Sequence, residues 1–203
     1  MNLFFDIDGT IWDTSERLYH LFVDLAHSDI SREDYLTRKR SKCTNEEILC
    51  SLGYSQCFID EFRKQWMGLI ENESYLRYNQ LFPYTVPTLQ FLKEKEHSIF
   101  LVTLRQFDNS LIKEVESKGL SAFITACYVS HDHKHKERVI IEKGQPYSSQ
   151  DYWIGDTGVD VLAAKSLGMN SVAVLSGVRN REVLETYKPD YIFETIADLQ
   201  TIL

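Results

Sequence analysis

The fold is constrained most by short apolar runs that each stop at a polar residue. Leu3, Phe4, Phe5 and Ile7 run into Asp6 and Asp8, Ile99 to Val102 stop at Thr103, and Trp153 to Gly155 stop at Asp156. Near-continuous apolar runs of this length read as strands covered on both faces. Stretches of helical spacing lie between them, and that alternation implies right-handed crossovers and a mostly parallel sheet. In such a sheet the C-terminal strand ends share one edge, where ligands bind. Two Asp-bearing turns and a Thr, far apart in sequence, are therefore expected to meet there. Asp6 and Asp8 alternate with Ile7 and should project on the same side, and Gly9 permits the turn that follows. Carboxylates at the end of a buried strand are costly unless a cation compensates them.

Between the first and second runs the pattern is helical. Leu18, Leu21, Phe22, Leu25 and Ala26 recur at spacings of three and four, and Phe62, Trp66, Leu69 and Ile70 share another face. Ser31 with Asp34 and Thr44 with Glu47 resemble capping boxes. No strand is predicted from Ser15 to Leu81. The reading is a helical insertion over 15–82, with 1–14 and 83–203 forming the other unit. Thr85 is expected to cap a helix with Pro87 in its first turn. Further strands are expected at Ala126 to Ser130, Ser171 to Leu175 and Tyr191 to Phe193, and a helix begins near Lys136.

Charge and composition exclude some classes. With 203 residues and a formal net charge of -8, the chain lacks the basic surface of a general nucleic-acid binder. No segment has the roughly 18 apolar residues of a membrane span, and the N-terminus does not read as a signal peptide, so a cytoplasmic location is expected. Cys43, Cys50, Cys57 and Cys127 form no C-x-x-C pair and read as buried small hydrophobes rather than a disulfide framework.

Clustered carboxylates suit a hard cation, and Mg²⁺ takes one or two of them together with water and substrate phosphate. Asp6 and Asp156 are the candidate side-chain ligands, with the Asp8 carbonyl as another. A shielded Asp6 could attack phosphorus and form an aspartyl-phosphate. Asp8 could protonate the leaving oxygen and then activate water, and Thr103 could hold phosphoryl oxygens. The charge excess asks for a fixed lysine, and Lys134 and Lys136 are placed to provide one.

Asp6-Ile7-Asp8-Gly9-Thr10 resembles the D-x-D-G-T signature of the haloacid dehalogenase-like phosphohydrolases, and Gly155 to Asp160 resembles their G-D-x-x-x-D motif. Thr103 matches the second motif, and Lys136, or alternatively Lys134, the third. The resemblance spans nearly the whole chain. It implies an α/β, Rossmann-like three-layer core with a mostly parallel sheet, plus a small all-helical C1-type cap inserted after the first strand. It implies Asp6 as nucleophile, Asp8 as acid and base, Mg²⁺ held by Asp6, Asp8 and Asp156 with support from Asp160, and a cap that selects substrate. The chain departs from relatives at Leu104-Arg105, where many carry Asn or Ser, and at Tyr84, where Gly is frequent. Neither lysine is followed by Pro. Lys136 is preferred because a helical run begins at it.

The expected function is a Mg²⁺-dependent phosphatase of a small phosphorylated metabolite, broadly of the phosphoglycolate phosphatase type. A phosphosugar mutase is the alternative within the family, and a non-catalytic binding protein the alternative outside it. Trp12, Arg38, Arg40 and Lys42 are candidate substrate-selecting residues. Alternating His131, His133 and His135 could bind a transition metal on an extended segment, but a polar loop at the rim of the site is the preferred reading.

Overall fold

The computed structural model describes residues 1–132 and 135–203; His133 and Lys134 lie outside the described residues. Six parallel strands form one sheet: β1 (Asn2–Phe5), β4 (Ser98–Thr103), β5 (Ala126–Val129), β6 (Tyr152–Gly155), β7 (Asn170–Val174) and β8 (Tyr191–Phe193). Their spatial order is β5-β4-β1-β6-β7-β8. The first strand is thus central, with Phe5 in register with Leu101 on one side and Ile154 on the other. That register brings the residues after all three strands to one edge.

Alternation along each strand separates two cores. Leu3, Phe5, Ile99, Leu101 and Ile154 pack with α6 (Thr85–Glu94), α7 (Asp108–Ser117) and a 3-10 turn at Ile196–Thr201. Phe4, Phe100, Val102 and Trp153 face the other way, toward α8 (Arg138–Glu142) and α9 (Gly158–Leu167). The Phe4 ring stacks between Phe100 and Trp153, at 5.0 and 5.7 Å. A last helix, α10 (Arg181–Glu185), packs Leu184 against Val161 and Ala173. The fold is the expected three-layer α/β arrangement.

Between β1 and α6 the chain forms α1 (Ser15–Ala26), α2 (Arg32–Arg40), α3 (Asn45–Ser51), α4 (Gln56–Leu69) and α5 (Glu73–Leu76). Hydroxyls of Ser31, Thr44 and Ser55 accept the N–H groups that start α2, α3 and α4. Thr44 and Glu47 form a reciprocal capping box, whereas Ser31 caps alone. Phe22, Tyr35, Leu36, Ile48, Leu49, Ile59 and Phe62 give these helices an apolar cluster of their own. No helix among the described residues is long and apolar enough to cross a membrane.

Three expectations need correction. Cys50 and Cys57 are exposed rather than buried, because they lie on the solvent faces of α3 and α4, and Cys43 and Cys127 are half-buried. A two-residue strand, β3 (Gln80–Leu81), pairs antiparallel with β2 (Trp12–Asp13) at the root of the insertion. Two residues are too short to carry a period-2 signal. Thr85 does not cap α6. It is the first helical residue, and its hydroxyl donates to the Ile11 carbonyl at 2.6 Å.

Candidate active site

The site is built where β1, β4 and β6 end. Asp6 follows β1 and its N–H still donates to the Ile154 carbonyl, so the sheet fixes its backbone. Asp156 follows β6, and Asp160 lies in the first turn of α9. One oxygen from each of Asp6, Asp156 and Asp160 can be chosen so that all three lie within 4.8 Å of one another. Lys136, in the turn before α8 and 2% exposed, pairs its ammonium with Asp6 Oδ1 and, at 2.8 Å, with Asp160 Oδ1.

The acidic groups differ in what remains open on them. Both Asp160 oxygens are occupied. Oδ1 also accepts Trp153 Nε1 at 3.3 Å, and Oδ2 accepts the Thr157 N–H at 3.3 Å and hydroxyl at 2.7 Å. Asp160 thus holds Lys136 and the start of α9 in place. Asp156 Oδ2 accepts the Val178 N–H at 2.7 Å, while its buried Oδ1 has no hydrogen-bond partner among the described residues. A buried carboxylate oxygen without a donor, beside two other carboxylates, suits a hard divalent cation such as Mg²⁺. Asp6 and Asp156 are the side chains that could hold it.

The electrostatics agree with that need. Burial pushes the Asp156 carboxyl up to about 7, with Asp160 adding to the rise. Burial also drives Asp6 well above the ordinary carboxylate range; Lys136 opposes this, and the two neighbouring aspartates reinforce it. Burial disfavours the Lys136 ammonium, but Asp160 and Asp6 outweigh it and raise its pKa.

Asp8 has different company. Its Oδ1 accepts Trp12 Nε1 at 3.0 Å and Arg105 Nη2 at 2.6 Å; its Oδ2 accepts Arg105 Nε at 3.1 Å and lies 3.0 Å from Arg17 Nη2. Burial alone would raise this carboxyl, but Arg105 and then Arg17 override it and hold it well below the usual range. Arg105 reaches onward to Glu114 Oε2 at 2.5 Å, and Asn79 donates to the other Glu114 oxygen at 2.8 Å. Thr103 is buried at the end of β4, where its hydroxyl accepts the Arg105 N–H at 3.3 Å.

A cleft of about 320 Å³ joins these groups, lined by Asp6, Asp8, Thr103, Lys136 and Asp156 from the sheet edge and by Arg17, Trp66 and Glu71 from the insertion. Other sequence candidates fall elsewhere. Trp12 is fully buried and steadies Asp8. Arg38 pairs with Asp34 on α2, and Lys42 Nζ lies 5.2 Å over the Tyr187 ring. Arg40 lines a neighbouring cavity of about 470 Å³. His135 is exposed, 3.4 Å from Glu137. Asp6, Asp156 and Asp160 are the metal-capable cluster among the described residues, and no histidine belongs to it.

Arg17 has no place among the residues the sequence points to, and Arg105 enters there only as part of the departure at Leu104-Arg105. Arg17 carried a faint signal: it stands four residues before Leu21, on the apolar stripe of α1, where an arginine is out of place unless it has a partner. Arg105 lies two residues beyond a buried strand end, in the same kind of position as Asp8.

Comparisons with known proteins bear on the family and the fold. A family model for haloacid dehalogenase-like hydrolases matches residues 3–174. Pyrophosphatase PpaX of Oceanobacillus iheyensis is 26% identical over 215 residues, which cover 99% of this chain and 95% of that protein. The protein of that name from Anoxybacillus flavithermus is 27% identical over 220 residues, with the same coverage. Among solved structures, a haloacid dehalogenase-like hydrolase from Streptococcus pneumoniae superposes with a TM-score of 0.78 at 22% identity, covering 99% of this chain and 97% of its own. A predicted phosphoglycolate phosphatase from Haemophilus somnus gives 0.76 at 20%, covering 98% and 96%. With the match extending from β1 to the end of β7, the chain belongs to the haloacid dehalogenase-like hydrolase family.

Proposed function

We propose that this chain is a Mg²⁺-dependent phosphatase acting on a small phosphorylated metabolite through an aspartyl-phosphate. The observation that best supports this reading is the meeting of Asp6, Asp156 and Asp160 with the buried ammonium of Lys136. A site that gathers this charge at the end of a sheet is suited to neutralising a phosphoryl group.

In this reading an Asp6 carboxylate oxygen attacks phosphorus and the bond to the leaving oxygen breaks, that oxygen taking a proton from Asp8. For this Asp8 must first be protonated, so bound substrate has to draw Arg105 and Arg17 away from the carboxylate they hold ionised. Water then attacks the aspartyl-phosphate, Asp8 takes its proton, and inorganic phosphate leaves while Asp6 is regenerated. Lys136 offsets charge on Asp6 and on the transferring oxygens. Thr103 orients those oxygens: its hydroxyl accepts from Arg105 and keeps its own proton to donate. Bound Mg²⁺ would offset phosphoryl charge and orient the group for in-line attack. The helices over 15–82 act as the cap that selects substrate. The curated relatives named as pyrophosphatases and the neighbour named as a phosphoglycolate phosphatase support phosphoryl-transfer chemistry of this kind.

Phosphate release from a chromogenic ester and from a panel of phosphorylated metabolites tests the proposal. Release should require Mg²⁺ and stop on chelation. Asp6→Asn should lower kcat on the order of 10³-fold or more while leaving the melting temperature nearly unchanged. Full activity in that variant excludes Asp6 as nucleophile, and conversion of a sugar phosphate to its isomer without phosphate release identifies a mutase.

A further inference from the structure

Arg17 brings unused donors to the cleft. It sits in the first turn of α1 and is 3% exposed. One nitrogen, Nη2, faces Asp8, but Nε and Nη1 have no hydrogen-bond partner among the described residues. A buried guanidinium with idle N–H groups is uncommon, because each lost water is normally replaced by a protein acceptor.

The other cations on the cleft wall are committed. Each nitrogen of the Arg105 guanidinium faces Asp8 or Glu114, and Lys136 bridges Asp6 and Asp160. The remaining unpartnered buried atoms on the wall, Asp156 Oδ1 and Glu71 Oε2, are acceptors. Among the cationic side chains of the wall, the guanidinium with N–H groups left over for an incoming group is therefore that of Arg17, and the strongest acceptor for a guanidinium is an anionic oxygen.

We propose that Arg17 anchors a second anionic group on the substrate, a phosphate or a carboxylate, a few bonds from the phosphoryl group that Asp6 attacks. This rests on the phosphatase reading for the identity of the attacked group. The spacing follows from the contact of Arg17 with Asp8, two residues from Asp6 and on the wall of the same cleft. A cleft of about 320 Å³ accommodates a small two-anion molecule. Leu18, Trp66 and Met67 beside Arg17 leave the link between the two anionic groups in apolar surroundings. A substrate with one phosphate and a neutral remainder would leave the Arg17 donors idle.

Calorimetric titration in excess Mg²⁺ tests the assignment with three non-hydrolysable probes. Methylenediphosphonate carries a second phosphonate, phosphonoacetate a carboxylate, and methylphosphonate no second anion. The wild-type protein should bind one or both of the first two at least about tenfold more tightly than methylphosphonate. Arg17→Gln should abolish that preference, and Arg17→Lys should keep part of it. Whichever two-anion probe binds more tightly tells a phosphate partner from a carboxylate. Absence of preference in the wild type, or an equal loss on all three probes in the variants, overturns the proposal. If Arg17→Gln does not fold, the wild-type ratio and the Lys variant decide. Phosphate release, measured separately, reads the underlying phosphatase assignment. Release without a two-anion preference defeats the anchor alone. A preference without release defeats the phosphatase reading alone.

Discussion

At Gly177 even a methyl group would overlap the Asp156 carboxylate, because the loop after β7 folds over that side chain to deliver the Val178 N–H. Gly9 is squeezed on the same group from the other side. Its φ is +87°, and a Cβ there would lie 2.7 Å from Asp156 Oδ2. Two turns distant in sequence thus grip one carboxylate. Gly177→Ala should push Asp156 out of register while leaving the sheet intact. We expect the Mg²⁺ concentration for half-maximal phosphate release to rise about tenfold, with a stability loss of about 1–3 kcal/mol. An unchanged metal dependence would remove Asp156 from the cation site. At this scale the sequence was most readable where chemistry coincides with a strand end. Asp6, Asp8, Thr103 and Asp156 interrupt apolar runs and are therefore visible. Arg105 meets Asp8 across 97 residues, a pairing nothing local marks, whereas Arg17 is marked faintly by its place on the apolar stripe of α1.

Among the elements, α2 carries a cost that can be measured. Lys39 is half-buried and gives one hydrogen bond, to Asn45 Oδ1 at 3.1 Å. Burial, and after it the nearby Arg179, pull its ammonium down to about 8 from an ordinary 10.5. Below pH 8 the amine is charged in both states, and the folded state bears the penalty. Between pH 8 and 10.5 the unfolded chain holds a proton that the folded one has shed, so this group's contribution to stability rises with pH. Lys39→Met should be more stable than the wild type at pH 7 by on the order of 1–2 kcal/mol. That gap should close as the pH climbs from 8 to 10.5, as urea unfolding at several pH values would reveal. A constant gap would mean that the lysine does not titrate in this way. In the insertion, α2 and α3 were legible from their caps, Ser31 and Thr44, and α1 and α4 from their apolar spacing. The β2–β3 ribbon was not, since its pairing is fixed by what the two ends of the insertion meet rather than by their own pattern.

For the whole molecule, the repeated succession of apolar runs and helical stretches determined the sheet, and the parallel sheet determined where its polar ends would gather. The seating of the helical insertion over that edge was not legible, because it depends on long-range contacts, mostly between a side chain and a backbone group, that no local pattern marks. On one flank Gln106 donates its N–H to Glu71 Oε1 at 2.6 Å and its side-chain amide to the Met67 carbonyl at 2.9 Å. On the other, the Asn180 N–H reaches the Arg40 carbonyl at 3.0 Å, and Arg179 the Lys39 carbonyl at 2.8 Å. In the proposed reading of these helices as a cap, opening has to release the contacts that clasp it on both flanks, and that ties the residence time of product to their release. Turnover would then be metered by a mechanical step rather than by bond breaking. On that basis kcat should fall as solvent viscosity rises. Glu71→Ala, which loosens one clasp, should reduce that sensitivity, whereas a kcat indifferent to viscosity in both proteins would place the slow step back in the chemistry.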